Sequence, residues 1–294
     1  MRKAGNHMKI ENIKFQKMHG AGNDYVYFDA FGDEPIPSFS AKEIAWISNR
    51  RYGVGGDGVV IIAPSQKADA RMLMWNADGT SSAMCGNALR CVALATFRRT
   101  QKKEMILESG CGVHKARILS GDEQSAFIEI DMGQPAFEKE KIPYTGAGNH
   151  PFMNIDLSVP GYGVYNASLV SMGNPHCVIF CDDADSILLE KIGPLIEHHP
   201  LFPERTNVEF VSFRGSIPYQ RTFERGSGET LACGSGACAV LVAGFLNGKI
   251  KRKSEIILRG GTLEVEWMEA GNVFLRGGAE EVFRGTFSMN PSLL

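Results

Sequence analysis

The apolar positions of this chain fall mostly in short runs that read as strands, interrupted by a few longer apolar stretches that read as helices. Strand-like runs are expected near residues 13–18 and 25–29, 59–63, 71–75, 105–108, 113–119 and 126–132. The same kind of run returns near 164–171, 176–181, 208–213 and 219–223, and the stretch from Glu255 to Phe287 alternates like further strands. Helices are expected from Ser40, where Glu43 completes a capping box, to about Ser48, and again over 184–197. Two further helices follow cysteines, one running to about Thr100 and one to about Leu246. Strand-rich stretches each carrying one or two helices give an α+β fold class.

Two stretches share one grammar. One runs from Trp75 through Cys85-Gly86-Asn87 to Cys91, the other from Phe223 through Cys233-Gly234-Ser235 to Cys238. Each passes from small and polar residues to a Cys-Gly pair and then into an Ala-rich apolar segment. Cys85 and Cys233 lie 148 positions apart, half the chain, and Gly22-Asn23 and Gly173-Asn174 repeat at an offset of 151. The spacing points to an internal duplication, with Gly133-Gln134-Pro135 and the Gly-, Pro- and charge-rich stretch 139–151 as the crossover between halves.

Composition narrows the picture. The chain has 294 residues, 44% of them hydrophobic and 22% charged, enough for two domains or one large one with a sizeable core. Its 31 basic and 33 acidic residues leave no basic excess for nucleic acid. The compact cluster Lys249-Ile250-Lys251-Arg252-Lys253 reads as a solvated turn. No run of about 18 apolar residues suggests a membrane span, and the first residues lack the apolar core of a secretory signal. Met8 is a candidate functional start. Seven cysteines without secretory features point to a reducing compartment, so cytoplasm is expected.

Where a glycine-permissive turn meets a helix start, unpaired amides and the helix dipole favour a thiolate, and the same amides can hold a carboxylate. Two such helix starts facing each other would put one thiol on either side of a carbon, suited to removing a proton from one face and returning one to the other. Cys91 and Cys238 are five or six residues further on and point elsewhere on a 3.6-residue helix, so they read as core. The same spacing argues against zinc, as does the apolar run around Cys177 and Cys181, and no metal is expected. The glycine-rich stretch 53–58 precedes a strand rather than a helix and has no Gly-Lys-Ser/Thr, so it reads as a turn built on positive φ angles. Polar residues worth naming gather around the glycines: Asn23, Asn76, Asn87, Asn174, His176, Asn207, Glu224 and Arg225. Alone, each asparagine is turn chemistry, Arg225 a surface ion pair and His176 a satisfied buried histidine. Together near a thiol site, Arg225 becomes a bidentate carboxylate clamp and His176 an aid to a base.

The motifs Met18-His19-Gly20-Ala21-Gly22-Asn23-Asp24, Asn76-Ala77-Asp78-Gly79, Cys85-Gly86-Asn87, Met172-Gly173-Asn174-Pro175-His176, Glu224-Arg225-Gly226 and Leu231 to Cys238 closely resemble the diaminopimelate epimerase family, in the family's order. The resemblance implies a cofactor-independent two-base epimerase that interconverts LL- and meso-2,6-diaminoheptanedioate in the lysine and peptidoglycan-precursor pathway. It implies two pseudo-symmetric domains, each a curved, mostly antiparallel sheet around a central helix. Residues 8–133 with 282–294 would form the half carrying Cys85, and 134–281 the half carrying Cys233. Cys85 and Cys233 would be the acid–base pair. Gly86, Asn87, Gly234 and Ser235 would hold the reacting carboxylate, and Asn23, Asn76, Asn174, Asn207 and Arg225 would read the rest of the substrate. His176 and Glu224 would adjust the thiols and hold the reacting ammonium. A homodimer is implied, with Phe283 where some members place a tyrosine. Gly58 stands where some members have a glutamine, and Ser227 where many have an apolar residue. The alternative reading is another paired-cysteine racemase on the same scaffold, proline- or histidine-racemase-like. The set Asn76, Asn174, Asn207 and Arg225 favours a substrate with a second amino-acid head. A thiol redox or metal protein would need a Cys-x-x-Cys or compact ligand cluster, and a pyridoxal-dependent racemase would show a bound aldimine in its absorbance.

Overall fold

The computed structural model describes residues 10–32, 38–148 and 151–289. The Met8 start and the 290–294 end of the tail fall outside them. Within the first half, strand Ile10–Gly20 turns back on Asn23–Asp29, which lies parallel to Gly58–Ala63. The wholly apolar Val59-Val60-Ile61-Ile62 run is buried at every position, as a strand covered on both faces requires. It pairs antiparallel with Ala70–Asn76, which runs parallel to Glu104–Ser109, followed by two antiparallel steps through Gly112–Gly121 to Ser125–Asp131.

The second half repeats this sequence of directions. Gly163–Ser171 is antiparallel to Pro175–Phe180, which is parallel to Asn207–Arg214, itself antiparallel to Ile217–Glu224. A parallel step to Lys253–Leu258 and two antiparallel steps through Gly261–Trp267 to Val273–Met289 complete the copy. The duplication expected from cysteine spacing is therefore written in strand order and direction, and the fold is α+β with two pseudo-symmetric halves.

The 17-residue strand Val273–Met289 joins them. It starts on Gly261–Trp267, pairs with Ser125–Asp131 around Ile128↔Gly277, and ends along Ile10–Gly20 from His19↔Glu280 to Ile10↔Met289. That last pairing closes the first half into a barrel.

Helix α1 (Ala41–Ser48) has the Ser40–Glu43 capping box and packs Ile44 and Ile47 on the outside of the first half. Helix α2 (Gly86–Thr100) is buried all round from Gly86 to Phe97, and ends at Gln101 in a left-handed cap with φ 59°. Helix α3 (Leu189–Glu197) covers the outside of the second half, and α4 (Gly234–Leu246) runs through its interior. One core cluster surrounds both α2 and α4, so the two interiors are continuous.

The structure departs from the sequence reading, or adds to it, in three places. The helix expected from 184 begins only at Leu189. Arg221 donates to the carbonyls of Ala184 and Ile187, and Asp183 caps the amide of Asp185, so those backbone groups are spent on turns. An additional strand, Ile155–Val159, lies against Gly163–Ser171 with Leu157 and Val159 buried. In the glycine-rich stretch 53–58, Gly55 takes φ 85° and Gly58 φ 159°, as a turn built on positive φ expects, but Gly53 is there for space: a Cβ would lie 2.0 Å from the carbonyl of Trp46.

Candidate active site

Cys85 and Cys233 are the N-cap residues of α2 and α4. Each has extended backbone angles, and each thiol accepts from its own helix: Cys85 Sγ from the Ala88 amide at 3.5 Å, Cys233 Sγ from the Gly236 amide at 3.3 Å. The short strands Ser81–Ser82 and Gly228–Thr230 fold back on Ala70–Asn76 and Ile217–Glu224 and deliver the chain to these caps. The two helix starts meet. A Cβ on Gly234 would fall 3.7 Å from the Gly86 Cα and 3.5 Å from Asn87 Oδ1. Glycine at both positions lets the two amide-bearing termini converge. Asn87 ties them, donating to the carbonyl of Ala232 at 2.9 Å and to Asn23 Oδ1 at 3.4 Å.

Both thiols face a cleft of about 750 Å³ between the halves. Of the residues singled out from the sequence, Asn23, Asn76, Cys85, Gly86, Asn174, Glu224, Cys233, Gly234 and Ser235 line it. Asn174 donates to Ser235 Oγ at 3.3 Å and lies 3.0 Å from His176 Nε2. Four residues stand behind or outside the wall. Asn87 and His176 are fully buried, and His176 Nδ1 lies 2.8 Å from Glu209 Oε1. Asn207 is buried too, bracing the backbone by donating to the Pro175 carbonyl and accepting from the Arg225 amide at 2.9 Å. The Arg225 side chain is exposed and donates to the Glu204 carbonyl at 3.2 Å, away from the cleft.

The expected lowering of the thiols' pKa is outweighed. Burial raises Cys85 to about 11 although the Ala88 amide pulls it down, and the Glu224 charge adds to the rise. Cys233 is pushed well above the ordinary value, first by burial and then by Glu224 and Glu209. Desolvation of the charged form exceeds what one helix terminus returns. Burial also raises Glu224 to about 6, against a hydrogen bond from Thr230 Oγ1 at 2.5 Å. A cation brought beside them would lower both thiols and the carboxyl together. Cys91, Cys177 and Cys238 are fully buried, and all seven cysteines are free thiols.

Several residues at the site went unremarked in the sequence. Tyr25 Oη lies 3.9 Å from Cys85 Sγ. Asp57 accepts from Asn23 Nδ2 at 2.7 Å and so orients the side chain whose Oδ1 faces Cys85 Sγ at 3.3 Å. Glu209 and Arg90 are charges inside otherwise apolar runs, Val208-Glu209-Phe210 and Leu89-Arg90-Cys91, and both are fully buried. A charge within an apolar element was the signal available for both.

The family model for Diaminopimelate epimerase matches residues 15–138 and 168–282. A diaminopimelate epimerase of Leptospira biflexa is 48% identical over 277 residues, covering 93% of this chain and 98% of that protein. One from Desulfovibrio desulfuricans is 45% identical, covering 94% and 98%. Among solved structures, a probable proline racemase of Agrobacterium radiobacter superposes with a TM-score of 0.66 at 18% identity, covering 95% of this chain and 94% of that one. A hydroxyproline epimerase of Agrobacterium vitis gives 0.67 at 15%, covering 96% and 94%. Those two likenesses are of fold. The sequence matches span nearly the whole chain, and by them it belongs to the diaminopimelate epimerase family.

Proposed function

We propose that the protein is a diaminopimelate epimerase that inverts one α-carbon of 2,6-diaminoheptanedioate between two cysteines, without a cofactor. The observation that carries the reading is the pair of N-cap thiols, Cys85 and Cys233, on converging helix starts in one cleft. The α-carboxylate binds the amides at Gly86-Asn87 and Gly234-Ser235, where negative charge growing on it in the transition state is stabilised. The α-ammonium sits against Glu224. One cysteine, as thiolate, takes the α-proton and becomes a thiol. The other thiol delivers its proton to the opposite face and is left as the thiolate, so direction reverses the roles. His176, held between Glu209 and Asn174, steadies the Cys233 side.

The cleft lining includes Asp24, Asp57, Asp78, Glu224 and Glu229 beside Arg50, an acidic balance that suits a substrate with two ammonium groups. Asn76 and Asn174 reach the distal head directly. Arg225 does so by leaving Glu204 and turning inward, and Asn207 by setting the Arg225 backbone. Residues 8–133 with 282–294 and residues 134–281 act as the two domains that close on the substrate. The working enzyme is a cytoplasmic homodimer, with exposed Val282 and Phe283 in the contact.

The test is α-proton exchange into deuterated water with LL-diaminopimelate. Wild type exchanges and epimerises, while Cys85→Ala and Cys233→Ala each abolish epimerisation. Full activity in either variant refutes the two-base assignment, and inactivity of the wild type on this substrate alongside turnover of proline refutes the substrate.

A further inference from the structure

Arg90 is fully buried one turn into α2, and among the described residues its guanidinium has no carboxylate partner. Nε donates to the Gly278 carbonyl at 3.2 Å, Nη2 donates to Asn87 Oδ1 at 2.9 Å, and Nη1 has no partner. The pocket is shaped around it: a Cβ at Gly20 would stand 2.9 Å from Nη2, and one at Gly277 3.2 Å from Cζ. A buried cation left without a counter-charge is costly, and an apolar side chain of like size would serve packing as well or better. The fold itself does not require one. The residue 148 positions on, at the same place in α4, is Cys238.

We propose that Arg90 is a positioning residue for the thiol pair, locking Asn87 in the orientation that joins both helix starts while holding positive charge behind Cys85. The chain of contacts is continuous. The crossing strand holds Arg90 through Gly278; Arg90 holds Asn87; Asn87 reaches the carbonyl of Ala232, next to Cys233, and Asn23, whose Oδ1 accepts from Cys85 Sγ. An Asn87 freed from Arg90 can rotate its amide, releasing both thiols at once. The titratable groups around the guanidinium are Cys85 and Cys91 on its own helix, Tyr27 from Asn23–Asp29 and Cys238 from α4. Those facing Cys85 are Tyr25 and Glu224. Among these groups Arg90 is the one fixed cation; Arg50 lines the cleft and Arg98 acts on Cys91.

This rests on the two-thiol reading, and the test separates the two. Arg90→Lys keeps charge without the fork, Arg90→Gln keeps donors without charge, and Arg90→Met keeps neither. Iodoacetamide labelling of Cys85 and Cys233 is followed against pH by peptide mass mapping, which needs no substrate, and kcat and KM are measured with LL-diaminopimelate. Expected are a Cys85 labelling midpoint raised by about one pH unit in the Gln and Met variants but not in Lys, and kcat reduced about tenfold or more in all three with KM changed less than about threefold. Folded Gln and Met variants with the wild-type midpoint and kcat overturn the proposal. So does failure of all three to fold, which makes Arg90 a residue of the scaffold alone. A wild type inactive on diaminopimelate with the labelling shift intact refutes the substrate and leaves Arg90 its role.

Discussion

Glu224 is the site's most informative titratable group, because its burial has opposite consequences for stability and for chemistry. Its carboxyl closes the strand Ile217–Glu224, lines the cleft and accepts from Thr230 Oγ1. Burial raises it from 4.5 to about 6, with Glu209 and Asp57 adding to the rise and His176 opposing it. A carboxyl raised on folding binds its proton more tightly in the folded chain. Its favourable contribution is therefore fully present below pH 4.5 and is lost as pH rises through about 6. At 1.36 kcal/mol per pH unit this corresponds to about 2 kcal/mol, and to about 1–2 after allowing for the solvent that reaches the half-buried side chain.

Glu224→Gln keeps the shape and an acceptor for Thr230 but cannot ionise. Urea unfolding should find it about 1–2 kcal/mol more stable than wild type at pH 8 and within experimental error of it at pH 4. The Glu224 charge also raises both Cys85 and Cys233. The variant's thiols should accordingly label with iodoacetamide at lower pH, while epimerisation falls because the proposed ammonium partner is gone. A more stable, more readily alkylated and less active protein is a combination no general disruption yields. A stability difference equal at pH 4 and pH 8 would falsify the electrostatic account.

Two glycine-centred contacts give further tests. Gly236→Ala places a Cβ 2.7 Å from Glu209 Oε1 and 2.8 Å from Gln220 Nε2, both buried, at the residue whose amide donates to Cys233. A loss of about 1–3 kcal/mol in urea unfolding is expected, with Cys233 labelling altered more than Cys85; an unchanged urea midpoint contradicts it. Leu275 is fully buried, and its Cδ2 stands 3.0 Å from the Cβ positions of both Gly86 and Gly234, a wedge under the two helix starts. Leu275→Ala should cost about 2–5 kcal/mol and, in the fraction that stays folded, lower kcat, whereas wild-type kcat in a destabilised variant would show that the wedge supports the core and not the thiols.

What was legible in the sequence was local. A Cys-Gly pair before an apolar run marks a helix start, and both cysteines are N-caps. Ser40 and Glu43 announced α1 to the residue. The register of Val273–Met289 was not legible, because its partners Gly261–Trp267, Ser125–Asp131 and Ile10–Gly20 come from both halves, and alternation tells which face a residue takes but not which strand lies beside it. Arg225 could be named, but its outward side chain depends on Glu204 and the Gly226 turn. The direction of the thiol shifts was likewise beyond local reasoning. A helix start is a property of a few residues, whereas desolvation depends on everything packed above it.

The duplication itself explains why two similar halves can hold two different thiols. In each, a parallel pair of strands faces the cysteine: Tyr25 and Gly58 sit one step before Val26↔Val59, and His176 pairs with Asn207. Each then has a hairpin partner at the same level, Asn76 opposite Gly58 and Glu224 one step beyond Val208↔Phe223. The backbone frame is thus common, while the side chains at matching places differ: a phenol against an imidazole, an asparagine against a glutamate, Arg90 against Cys238. Glu209, lodged against Gly236, has the apolar Val60 as its counterpart in the first half. The cation lies behind Cys85 and the anions gather around Cys233. Transfer across a carbon in the proposed reaction needs one thiol and one thiolate, and two coupled thiols in a closed cleft lose their protons in two steps even on a symmetric frame. The frame brings both thiols to one cleft, and the unequal charges behind them bias which of the two, in the proposed reaction, gives up its proton first.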